Sequence, residues 1–262
     1  MLLLQAVIYF LICIAATTAG GISGVGGGVI IKPVMDAVSG LGAATISFLS
    51  GCTVLAMTIT SMVRSRGGSV KVEKRRGTFL AIGAAFGGIM GKEAFELVRA
   101  AGGSAVDISQ QTMMILLTAG VFVYTLKKGK VRTIDVQNAP ACVLIGFTLG
   151  LLSAFLGIGG GPINLAVLSF FFSMDSKTAA LNSLYIILYS QAASFINTIV
   201  RGTVPDFDWL VLAAMCVGGV LGGILGRSIS ARLTNKGVDR LFLVIMAVIT
   251  AISCYNLYNC FA

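Results

Sequence analysis

The sequence predicts an all-α polytopic membrane protein built from two inverted repeats of about five helical elements each, with a short helix after a glycine-rich break in each half. Three observations predict it: apolar runs of bilayer length, glycine motifs that occur twice in the same order, and loop charges that change between the halves. The chain of 262 residues is 56% hydrophobic and only 11% charged, with a mean hydropathy of +0.95, far from the quarter-charged composition of a soluble domain. About 20 apolar residues in a helix span the hydrocarbon core. Eight runs approach that length, at 2–20, 44–63, 78–98, 111–126, 139–156, 179–200, 209–229 and 238–257, and two shorter ones lie at 29–38 and 163–173. The first run lacks the positive flank of a signal peptide and has a counterpart in mid-chain, so it is read as a span.

The duplication begins with Gly24-Val25-Gly26-Gly27-Gly28, echoed by Gly157-Ile158-Gly159-Gly160-Gly161. Ala44-Thr45-Ile46-Ser47 then matches Ala180-Leu181-Asn182-Ser183, and IGAAFGGIMGK at 82–92 matches VGGVLGGILGR at 217–227. Three collinear blocks make residues 1–130 and 139–262 the two halves of one integrated transmembrane domain. Five elements per half, if all cross, force the second half to lie upside down relative to the first.

Loop charge supports that inversion independently, since cytoplasmic loops are enriched in Lys and Arg. The 64–77 loop carries Arg64, Arg66, Lys71, Lys74, Arg75 and Arg76 against Glu73, whereas its mate at 201–208 has one Arg and two Asp. The 92–110 loop is nearly balanced, while its mate contains Arg227, Arg232, Lys236 and Arg240. With the connector lysines Lys127, Lys128 and Lys130 and Arg132 inside, both termini fall on the extracytoplasmic side of a multi-pass cell-membrane protein. The net charge of +9 therefore reflects topology, and no basic face with interleaved aromatics points to nucleic acid.

The glycines are of two kinds. Gly83, Gly87 and Gly91, like Gly218, Gly222 and Gly226, recur every fourth residue and line one helix face for close packing. Three adjacent glycines at 26–28 and 159–161 instead cost helix propensity of roughly 1 kcal/mol each and predict a broken helix. Such a break is tolerated in lipid only within protein or along a cavity, and the freed amides of the following short helix favour an anion. Pro162 suits a first helical turn. Interrupted segments at matching positions of two halves point to a substrate site between them, although simple hinges would also use glycine.

GVGGGVIIKP at 24–33 with AATIS at 43–47, and GIGGGPIN at 157–164 with AALNS at 179–183, resemble the sulfite exporter TauE/SafE family of membrane transporters over nearly the whole chain. The resemblance implies carriage of sulfur oxyanions, organosulfonates or small carboxylates. Two departures, Lys32 before Pro33 and Pro162 where the first half has Val29, leave room for a substrate other than sulfite.

Candidate substrate contacts are Gly26, Gly27, Gly28, Gly159, Gly160 and Gly161 at the breaks, Lys32, Thr45 and Ser47 in the first half, and Asn164, Asn182, Ser183 and Gln191 in the second, with Ser190 and Ser194 nearby. The hydroxyls would equally serve interhelical hydrogen bonds. Lys32 is an intramembrane charge and thus a functional candidate, or a partner for Asp36 one turn away. No histidine exists to carry protons, and the six cysteines form no paired motif, so no metal, cofactor or disulfide framework is expected. The absent His and sparse intramembrane carboxylates argue against an enzyme. The expectation is a secondary transporter of small anions by alternating access, with an anion channel as the alternative. A proton or sodium coupling ion and a homodimer stay open as partners beside the bilayer.

Overall fold

The computed structural model describes residues 2–68, 70–102, 104–156 and 160–261. They form ten α-helices: α1 (Leu2–Ser23), α2 (Gly28–Val38), α3 (Ala43–Ser65), α4 (Lys74–Gly102), α5 (Ser104–Lys127), α6 (Ala139–Phe155), α7 (Gly161–Phe171), α8 (Ser176–Val200), α9 (Trp209–Arg232) and α10 (Asn235–Phe261). Six of them, α1, α3, α5, α8, α9 and α10, are long and apolar enough to cross a membrane. Among the described residues no strand forms beyond one isolated bridge between Asp135 and Phe172. The outer helix faces carry bare apolar side chains, with Leu97, Leu116, Leu144 and Val200 all more than two-thirds exposed, as a surface solvated by lipid requires.

The helix ends follow local chemistry. Asp208 caps α9, its carboxylate accepting from the amides of Leu210 at 2.7 Å and Val211 at 3.4 Å. Three basic residues open α4, against the helix dipole, and Arg76 finds compensation in Glu73 at 3.5 Å and Asp135 at 2.8 Å. α1 stops because Gly24 and Gly26 take φ of +77° and +75°, a left-handed conformation that costs glycine little.

That stop also reverses the chain. Gln5 and Tyr9 near the start of α1 line one cleft with Ser39 and Leu41 after α2 and Thr45 at the start of α3, so α2 runs back beside α1 as the short arm of a hairpin. α7 does the same beside α6. Its last residues Phe170 and Phe171 accept backbone hydrogen bonds at 2.8 and 2.9 Å from Ile134 and Val136, just before α6 begins. The possibility that all five elements of a half cross is thereby corrected: α2 and α7 return, because the left-handed glycines turn the backbone rather than merely interrupting it.

The glycine stripes select the partners. A Cβ on Gly83, Gly87 or Gly91 of α4 would strike the carbonyls of Val143, Phe147 and Leu151 on α6, and one on Gly146 or Gly150 of α6 would strike Leu80 and Ala84 of α4. α9 repeats this against α1, with Gly218 on Phe10, Gly222 on Ile14 and Thr17, and Gly226 on Thr18. It also meets α3 through Gly219 on Thr53 and Gly223 on Met57. The hydroxyl of Thr17 donates to Cys13 at 2.5 Å and lies 3.3 Å from the Gly218 carbonyl.

Each bundle therefore draws on the other half of the sequence, the first taking α9 and the second α4 and α5. α1, α2 and α3 enclose a core with α9 around Tyr9, Ile31, Met35, Leu49 and Met215, while α6 and α7 pack with α4, α5, α8 and α10. Val54 and Met57 of α3 meet Leu184 and Ile187 of α8 where the two bundles join.

Candidate functional site: the meeting of two helix breaks

The two breaks touch. A Cβ on Gly161 would drive into the Val25 carbonyl, so the start of α7 lies directly on the backbone that follows α1. Gly24 presses against Ala180 of α8, and its carbonyl accepts a 2.6 Å hydrogen bond from the Ser183 hydroxyl. Gly26 sits between Ile187 and Val54, halfway along α8 and α3, and Gly27 abuts Thr17, where a Cβ would come within 2.6 Å of a methyl group. Glycine is required at Gly24, Gly26 and Gly160 for a positive φ, and at Gly161 for room.

The junction presents donors. The Gly27 carbonyl accepts from Ile30 at 3.1 Å and Ile31 at 2.9 Å, leaving the amides of Gly28 and Val29 without intrahelical acceptors. At α7 the Asn164 amide donates to the Gly160 carbonyl at 3.1 Å, Pro162 has no N–H, and the amides of Gly161 and Ile163 have no backbone acceptor among the described residues. Two side chains reinforce these helix starts. Ser50 of α3 and Ser153 of α6 are buried, and neither hydroxyl has a hydrogen-bond partner among the described residues. Ser50 Oγ lies 3.4 Å from the position a Cβ would occupy on Gly28, and Ser153 Oγ 3.4 Å from the corresponding point on Gly160. Burying a hydroxyl unpaired costs about 1–3 kcal/mol on mutational scales, so two at one junction require an explanation.

The candidates read from sequence distribute unevenly. Gly26, Gly27, Gly28, Gly160 and Gly161 form the junction, while Gly159 lies outside the described residues. Asn164 is 2% exposed, with its carboxamide nitrogen 3.2 Å from the Cβ position on Gly160. Ser183 reaches the first break through Gly24, and Gln191 approaches Gly51, the neighbour of Ser50. Lys32 is half-buried on α2 and within electrostatic reach of Asp36 and of Lys92 on α4.

Thr45 and Ser47 are not brought to the breaks. Because α2 runs back, α3 begins beside Gln5 and Tyr9, and Thr45 donates at 3.2 Å to the Asp206 carbonyl. A cleft of about 110 Å³ opens there. Asn182 faces the basic loop: its oxygen accepts from the Glu73 amide at 3.0 Å, and its nitrogen donates to Thr178 at 2.9 Å. Nothing in the sequence marks Ser50 or Ser153: each is a lone hydroxyl in an ordinary apolar helix, Ser50 one helix beyond the Gly28 it faces and Ser153 two turns before Gly160. Among the described residues no group of three or more His, Cys, Asp or Glu side chains converges. The donors at the junction are amides, hydroxyls and one carboxamide, a neutral set.

Set against known proteins, residues 9–253 match the family model described as "Sulfite exporter TauE/SafE". The chain is 24% identical over 286 aligned positions, 97% of each chain, to the "Probable membrane transporter protein YunE" of Bacillus subtilis (strain 168). No solved structure matches it.

Proposed function

The chain belongs to the sulfite exporter TauE/SafE family of membrane transporters, and from that premise we propose that it carries a small anion by alternating access around the junction of its two helix breaks. The cargo is a sulfur oxyanion, an organosulfonate or a small carboxylate. One observation carries the reading: the contact of Gly161 with Val25, flanked by the unpaired hydroxyls of Ser50 and Ser153. Two short helices start at this contact, and their free amides favour negative charge.

Inversion of the halves completes the proposal. With α2 and α7 returning, three helices of each half cross after its hairpin, still an odd number. The start of α3 lies near the end of α8 through Thr45 and Asp206. The start of α8 lies near the end of α5 through Ser176 and Lys128, at 2.6 Å. The basic 64–77 loop and the connector then face the cytoplasm, and both termini face outward.

Counterflow in proteoliposomes tests the function. Unlabelled sulfite, methanesulfonate or acetate inside should accelerate uptake of the labelled anion from outside. Unitary currents without trans-stimulation would assign a channel instead, and no flux of any of the three would remove the anion reading.

A further inference from the structure

α9 ends in a charge that the junction does not use. Arg227 is 6% exposed, and its Nη1 is buried without a partner among the described residues. Ser230, one turn further and wholly enclosed, also has an unpaired hydroxyl. On α3, the unpaired Ser61 hydroxyl lies 3.3 Å from the Cβ position of Gly223, the residue one turn before Arg227 on the same face. Gly226 beside it packs on Gly21, three residues before the first break, and Ser228 beyond it accepts at 3.3 Å from Arg64 in the last turn of α3, where the basic loop begins. One buried guanidinium nitrogen and two buried hydroxyls thus lie without partners among the described residues, between the first break and the 64–77 loop.

We infer that Arg227, with Ser230 and Ser61, is a second binding station for a small oxyanion, distinct from the junction and on the basic-loop side of it. A buried charge persists when it is paired, and an intramembrane arginine marks an ion path. The guanidinium fork fits two oxygens of a sulfonate, sulfite or carboxylate, and the two hydroxyls add donors. The inference rests on the transport reading: an anion leaving the junction toward the basic loop meets Arg227 next. Lys92 holds the matching place after the α4 stripe, so a cation follows each stripe.

The test is titration of purified full-length protein in non-ionic detergent with sulfite, methanesulfonate, sulfate and acetate at constant ionic strength. At least one should bind wild type saturably. For that anion, Arg227→Gln should weaken affinity tenfold or more, Arg227→Lys should recover part of the loss, and Ser230→Ala should weaken it about threefold, as expected for a lost hydrogen bond. A purely structural role would lower the unfolding temperature of Arg227→Gln and leave the affinity of the folded protein unchanged. Wild-type affinity in Arg227→Gln, with binding lost in Ser50→Ala/Ser153→Ala, overturns the station and leaves the transport reading intact. Failure of all four anions to bind wild type overturns both. Should Arg227→Gln not purify in a monodisperse state, wild-type affinity in both Ser230→Ala and Ser61→Ala overturns the station.

Discussion

Ser50 and Ser153 are enclosed hydroxyls beside half-helix starts, and each has a destabilising and a useful side. Deleting an unpaired buried hydroxyl removes its desolvation penalty and is close to neutral or stabilising. Ser50→Ala and Ser153→Ala should therefore unfold no earlier than wild type in a thermal melt, while each weakens anion binding by about threefold to tenfold. Binding unchanged in both would leave the junction without side-chain donors from α3 and α6. Asn164 and Asn182 separate the same way. Asn164→Ala should reduce anion uptake in proteoliposomes, whereas Asn182→Ala should chiefly free the Glu73 amide, read as faster hydrogen exchange there. Equal losses of uptake from both would place Asn182 on the path after all.

Helix by helix, glycine has two roles that only the folded chain distinguishes. Gly87 and Gly88 are neighbours on α4, yet a Cβ on Gly87 would collide with the Phe147 carbonyl while one on Gly88 would meet nothing within 4 Å. Gly87→Ala should destabilise by about 1–3 kcal/mol, the range for overpacking. Gly88→Ala should be neutral or stabilising by up to about 1 kcal/mol from helix propensity. Thermal unfolding in one detergent compares the two, and equal shifts would mean that α4 does not lie on α6 in this register. The breaks were legible in the sequence because three adjacent glycines fit no single helix face, and the first turn of α7 because Pro162 marks it. Their direction was not, since a left-handed glycine permits reversal without announcing it. The reversal puts Thr45 beside Gln5 and Tyr9 and Ser50 beside Gly28. Once α2 folds back, its start faces the interior of α3 rather than the first turn of α3.

For the whole molecule, the sequence distinguishes two halves and the fold recombines them. The four-residue glycine period promised close contacts without naming partners, and the partner of α4 is α6, as that of α9 is α1. The two mixed bundles meet where Val54 and Met57 face Leu184 and Ile187. The orientation of the halves is open to direct labelling. In a cysteine-free background, a single cysteine at Gly68 should react with an impermeant maleimide only from the cytoplasmic side, and one at Val204 only from outside. Reaction of both from the same side would refute the inverted arrangement.

The exchange of helices also sets a clock on synthesis. Thr17 and Gly218 lie 201 residues apart, which at about 5–20 residues per second on the ribosome is a delay of roughly 10–40 seconds. For that time the face of α1 that α9 will cover stays open to lipid or to whatever guards the nascent chain, and the first break waits beside it. Assembly order is thus written into the same glycines that allow the bundles to close: the hairpin made first is among the last to be finished.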